Sequence, residues 1–209
     1  YTVLGRKNKI SNLKEISAQA CSGGVIGEAK TASAGGLLNK TLGIGNFLGF
    51  EIENITVSSI DTPGIIHATQ DYAGGFAGKA MGGKVLNVQI SELQKVEANN
   101  YAGGFVGYGG TGSLAETGAL NILGLVKISN LLNLAQGLVL DINECNVKGT
   151  PNGFTVKALG TRTSDADVTK HYAGGFIGKS TSVHIRNSHV KTLKDVTADE
   201  ISGYAGGFA

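Results

Sequence analysis

Proline is almost missing from this chain of 209 residues; only Pro63 and Pro151 occur. Glycine is abundant instead, at 33 residues, about twice the ~7% share of an average protein. Many glycines with few prolines exclude collagen and flexible linkers and point to backbone packed at close quarters. Charged residues are also scarce, at 16%. With 41% hydrophobic residues, that excludes a disordered tail and leaves enough apolar material for a core. The net charge of +2 includes no basic cluster, so no surface for nucleic acid or an acidic membrane is indicated.

Catalytic signatures are missing as well. No GxSxG, HExxH, CxxC or P-loop occurs. The pattern GGxxG recurs, but in unit after unit and outside any dinucleotide-binding context, so it does not signal a nucleotide. No catalytic, cofactor-binding or metal-ligating residue is assigned, and no cofactor is expected. Length allows one or two domains. The chain does not begin with Met and shows no capping segment. It therefore reads as a piece of a longer repeat protein or of a filament.

What the chain does contain is a repeat. YAGGFAG starts at Tyr72, YAGGFVG at Tyr101, YAGGFIG at Tyr172 and YAGGFA at Tyr204. A degenerate copy, CSGGVIG, starts at Cys21. Gly75, Gly104, Gly175 and Gly207 are separated by 29, 71 and 32 residues (104−75, 175−104, 207−175), and Gly24 precedes Gly75 by 51 (75−24). Long and short units alternate. In the short units Ile10, Leu13 and Ile16 correspond to Ile90, Leu93 and Val96, and to Val190, Leu193 and Val196. In the long units FEIENITV matches LDINECNV, with Ile52 over Ile142 and Val57 over Val147.

A unit of roughly 30 residues with short β-rich runs is one turn of a β-solenoid, which buries its apolar face only against neighbouring turns. The expected fold is all-β, a right-handed parallel β-helix forming a single segment over 1–209. Its short and long coils alternate, and the long coils carry helical insertions. Stacking at ~4.8 Å places Tyr72, Tyr101, Tyr172 and Tyr204 in one ladder and Phe76, Phe105, Phe176 and Phe208 in another. Both parities of the motif are apolar, so the inward one stays open. The paired glycines are expected to leave room on both sides of the wall, for the opposite wall inside and for another element outside.

The insertions fall at about 34–49 and 111–137. Within the second, Leu125, Ile128, Leu131, Leu132 and Leu138 share one helical arc, opposite Lys127, Ser129, Asn130 and Asn133, which predicts an amphipathic helix. Lys127 and the amides interrupt the run, so no membrane span is expected. Two coils of ~4.8 Å would set the insertions ~9.6 Å apart, at helix-packing distance along one flank.

Cys21 and Cys145 stand about three coils apart, ~14 Å, too far for a disulfide, so both are expected to be free. His184 and His189 are five apart and, on one strand, would face opposite sides. Asp165 and Asp167 are a weak calcium motif and read better as a polar turn, as do Asp199 and Glu200. Asn39 and Asn54 head Asn-X-Thr sequons. Arg occurs only at Arg6, Arg162 and Arg186, and no aligned acid pair is expected, which disfavours an enzyme. Thr residues do not recur in register, which disfavours an ice-binding face.

Ile52–Val57 and Ile185–Val190 have the form I-x-N-x-x-V, and Gly74–Gly78, Gly103–Gly107 and Gly174–Gly178 have the form G-G-F-[AVI]-G. Together they resemble the GLUG-type repeats of bacterial surface proteins, with YAGGF in place of VGGL and with added insertions. The resemblance covers nearly all of the chain outside the insertions. It implies a large secreted or wall-attached protein, often an adhesin. The expected function is therefore a non-catalytic structural segment of an extracellular bacterial adhesin, stalk or fibre. Its partners would be neighbouring coils of the same or adjacent chains, and host or cell-surface glycans or proteins. The alternatives are a filament subunit stacking head to tail, and a β-helix enzyme acting on polysaccharide.

Overall fold

The computed structural model describes residues 2–3, 7–30, 49–59, 64–112, 139–160, 170–199 and 203–209. Every regular element among them is a strand, and every paired strand is parallel. The all-β expectation holds in that form.

The strands gather into three sheets of twelve, five and four strands. The chain visits the sheets in a fixed order, making four full circuits and a fifth through the twelve- and five-stranded sheets. In the third circuit it runs through Gly83–Ala98 of the long sheet, then Tyr101–Gly103 of the five-stranded sheet, then Val106–Gly110 of the four-stranded sheet. Successive circuits, here called passes, lie beside one another in sequence order. The five-stranded sheet runs Cys21–Gly23, Tyr72–Gly74, Tyr101–Gly103, His171–Gly174, Gly203–Gly206.

Pairing is in register, as the repeat alignment requires. Tyr72 pairs with Tyr101, Tyr101 with Tyr172, and Tyr172 with Tyr204. Ile52, Val85, Ile142 and Ile185 form one buried or half-buried column of the long sheet, and Val57, Ile90, Val147 and Val190 another. Ile52 and Ile142 thus flank the same residue, Val85, from opposite sides. A further column, Ile66, Val96 and Val156, is fully buried.

The open question of parity has an answer. Phe76, Phe105 and Phe176 are inside and fully buried, whereas Tyr72, Tyr101 and Tyr172 are half-exposed on the outside. The phenylalanine rings stack at 4.9, 4.8 and 4.9 Å through to Phe208.

The glycines serve a different purpose from the one expected. A Cβ on the first glycine of the pair would overlap the carbonyl three residues on, that of Ala77 for Gly74 and Val106 for Gly103. A Cβ on the second would overlap the glycine carbonyl of the next pass, Gly104 for Gly75 and Gly175 for Gly104. The constraint is the tight turn and the stack, not an outside element. The third glycine is the one that admits another sheet. A Cβ on Gly107 would stand 2.7 Å from the Ala73 carbonyl, and on Gly178 2.5 Å from the Ala102 carbonyl.

The helices expected at 34–49 and 111–137 lie outside the described residues except at their margins, Gly49, Thr111 and Gly112. Their points of departure are described. They follow Ile26–Lys30 and Val106–Gly110, equivalent strands of the four-stranded sheet two passes apart.

Candidate functional site

Each pass turns corners within the long sheet, and the corners aim its outer side chains. Asn54, Asn87, Glu144 and Asn187 all have left-handed backbone, with φ of 58°, 51°, 57° and 48°. Asn tolerates this region better than other non-glycine residues. The side chains knit the corner together. Asn87 Nδ2 donates to Asn54 Oδ1 at 2.8 Å, Asn146 Nδ2 to Gln89 Oε1 at 2.9 Å, and Asn187 Nδ2 to Asn143 Oδ1 at 3.1 Å.

These corners reset the alternation of faces, which corrects the reading of His184 and His189. Asn187 separates the strands Val183–Arg186 and His189–Lys191, so both histidines point outward. His189 Nδ1 lies 3.0 Å from Asn146 Oδ1. His184 pairs with Asp141.

The same register aligns acids and bases on the long sheet. Glu51 pairs with Lys84, Lys84 with Asp141, and Asp141 with His184. Arg186 Nη2 donates to Asp141 Oδ2 at 2.7 Å. Glu51, Lys84, Asp141 and Arg186 line a shallow cleft over Val85 and Leu86. Asp141 Oδ1 is buried there without a hydrogen-bond partner. An aligned acid pair, two passes apart, therefore exists. Its sequence signal was the match of FEIENITV to LDINECNV, which already set Glu51 over Asp141.

The second outer feature is a furrow beside the tyrosine ladder. Tyr72, Tyr101, Tyr172 and Tyr204 stack at 5.0, 5.7 and 5.0 Å with tilts of 11°, 10° and 12°. The neighbouring column on the four-stranded sheet reads Glu28, Lys79, Tyr108, Lys179. Lys79 Nζ sits 5.0 Å from the Tyr72 ring and Lys179 Nζ 4.6 Å from the Tyr172 ring. Tyr108 leans on Tyr72 and Tyr101 at 5.8 and 5.7 Å.

Burial, then the Asp71 carboxylate, push the Tyr72 phenol up to about 12, so it stays protonated at neutral pH. Burial alone would raise the Glu28 carboxyl, but Lys30 and Lys79 outweigh it and hold it below the usual range. Tyr101 and Tyr172 have a stacked ring on both faces. Tyr204 is 51% exposed. The furrow holds Lys79 and Lys179 close beside the stacked rings.

Cys21 and Cys145 are both free, as expected. Cys21 continues the tyrosine ladder beside Tyr72. Cys145 is buried, its Sγ 3.2 Å from the Asn143 carbonyl, and burial pushes its thiol up to about 12. His67 Nδ1 approaches Glu97 Oε2 at 3.3 Å. His171 is 4% exposed and its Nδ1 has no partner. Asp165, Asp167, Glu200, Arg6, Arg162 and Asn39 lie outside the described residues. No cluster of metal-ligating side chains occurs among the described residues, and no helix among them is long and apolar enough to cross a membrane.

Comparison with known proteins adds nothing further: no family model, no curated protein and no solved structure matches the chain.

Proposed function

We propose that the chain is a structural segment of an extracellular bacterial adhesin, stalk or fibre, folded as a right-handed β-solenoid. The observation that carries this reading is the in-register stacking of one turn motif through all five passes. Phe76, Phe105, Phe176 and Phe208 lie face to face, and a Cβ on Gly24, Gly75, Gly104 or Gly175 would overlap the carbonyl of the next glycine in the stack. Such a stack repeats the same interface pass after pass, which suits an extended spacer. The likeness to GLUG-type repeats supports the surface location. Its shared Asn now has a physical reason, because Asn54 and Asn187 occupy left-handed corners.

Protease shaving of intact source cells tests the location. Release of this chain without lysis is expected; full protection until lysis overturns it. Binding to host or cell-surface glycans is tested on a glycan array.

A second reading has one observation in its favour, the Glu51–Lys84–Asp141–His184 column. Sugar-processing β-helices need acids and bases aligned over successive coils. In-register neighbours of opposite charge also stabilise a sheet, so alternating sign serves the scaffold equally well. Incubation with acidic polysaccharides and measurement of new chain ends separates the two. No turnover is expected, and turnover abolished by Asp141→Asn would install the enzyme instead.

A further inference from the structure

We infer that the furrow between the tyrosine ladder and the lysine column binds an acidic polysaccharide that carries a carboxylate on every second sugar. This deepens the surface reading above by naming a ligand class and its seat. Lys79 and Lys179 stand 100 residues apart in the chain (179−79), so no basic cluster shows in the sequence. Register sets them in one column with Tyr108 between them. Lys179 Nζ lies 4.6 Å from the centre of the Tyr172 ring and 5.5 Å from that of Tyr101. No carboxylate pairs with Lys179 among the described residues. Lys79 differs, because Glu28 Oε1 lies 3.5 Å from its Nζ and 2.9 Å from Lys30 Nζ. The furrow is therefore neutralised at Glu28 and positive at Lys179.

The ladder adds neutral donors. The hydroxyls of Tyr72, Tyr101 and Tyr172 have no hydrogen-bond partner among the described residues, and none of the three is sealed from solvent. Tyr101 has a ring on both faces, so a ligand is held by hydroxyls and ammonium groups rather than by stacking. Spacing selects among anions. Passes advance by ~4.8 Å, so hydroxyls recur at about that step and the two ammonium groups at about 9.6 Å (twice ~4.8 Å). Sugar rings of an extended chain follow one another at a similar step. A chain with acids on alternate sugars thus brings each acid to an ammonium group, a charge-assisted contact, and its hydroxyls to the tyrosines. An extended acidic peptide repeats one face every two residues, about 6.8 Å (twice ~3.4 Å), and runs out of step with the lysines.

The test is calorimetric titration of the 209-residue chain with short hyaluronan fragments, in which glucuronate alternates with a neutral sugar. Binding is expected, weakening as salt rises, with none to dextran. Lys179→Gln is expected to lower affinity at least fivefold and Tyr101→Phe at least twofold. Glu28→Gln, which releases Lys79, is expected to raise it at least twofold. Lys148→Gln, an exposed lysine on the long sheet, is expected to change nothing. Absence of binding overturns the inference, as does equal affinity for polyglutamate, which would make the ligand an acidic peptide. Unchanged affinity in both Lys179→Gln and Glu28→Gln, or an equal loss in Lys148→Gln, places binding elsewhere and overturns it too. Each of these failures leaves the surface reading standing, since that reading falls on protease shaving whether or not the fragments bind.

Discussion

Phe105 has ring neighbours on both faces, Phe76 at 4.9 Å and Phe176 at 4.8 Å, and no exposed surface. Phe208 has one such neighbour and is 38% exposed. Phe105→Ala is therefore expected to cost about 3–5 kcal/mol, and Phe208→Ala less than half of that, by urea denaturation. Cys145 supplies a pH test. Burial pushes its thiol up to about 12, against about 8.5 in an unfolded chain. The folded state then holds the proton more tightly. The contribution is complete below about pH 8.5 and is lost as pH rises toward 12, by at most about 1.4 kcal/mol per unit. Tyr72 adds a loss of the same sign at higher pH, so the measurement is a difference. Stability of the parent chain minus that of Cys145→Ser is expected to fall between pH 8 and pH 10; a constant difference removes the effect.

At the scale of the element, the corners decide where side chains go. Ile52 and Val57 are five apart and both buried, which a straight strand cannot do. The left-handed residue between them resolves the conflict, and the same holds for Val85 and Ile90 around Asn87. That signal was present in the sequence as two aligned apolar positions at odd spacing. The expectation for His184 and His189 missed it by treating the run as one strand. Asn87→Gly is expected to lose about 1 kcal/mol, for the bond to Asn54. Asn87→Val adds roughly 1–2 kcal/mol for the left-handed backbone. Equal losses in thermal melts of the two variants would count against a strained corner. The glycine pairs were legible as a packing signal, but not the atoms they avoid, since carbonyl positions follow from the turn once it is built.

The described residues form five similar passes, each paired with its sequence neighbours in the five-stranded sheet. Stability of such an array is close to a sum over passes and their interfaces. Removing residues 182–209 is expected to leave a chain that still unfolds cooperatively, at lower denaturant. Complete loss of β signal by circular dichroism would mean that the passes do not stack independently. At this scale the repeat spacing was fully legible, because in-register pairing makes equivalent residues neighbours. The place of the Lys79–Tyr108–Lys179 column beside the tyrosines was not. The column lies there only because two sheets meet closely at Gly78, Gly107 and Gly178.

The repeat alone determined that strands would be parallel, which residues would share a ladder, and that the two cysteines would stay apart. All of these follow from stacking the equivalent positions of the repeat on one another. Only the tertiary structure decided which face of the motif is buried, which way the histidines point, and that Glu51, Lys84 and Asp141 share a cleft. Those depend on left-handed corners and on the approach of one sheet to another, and neither is a periodic property of the sequence.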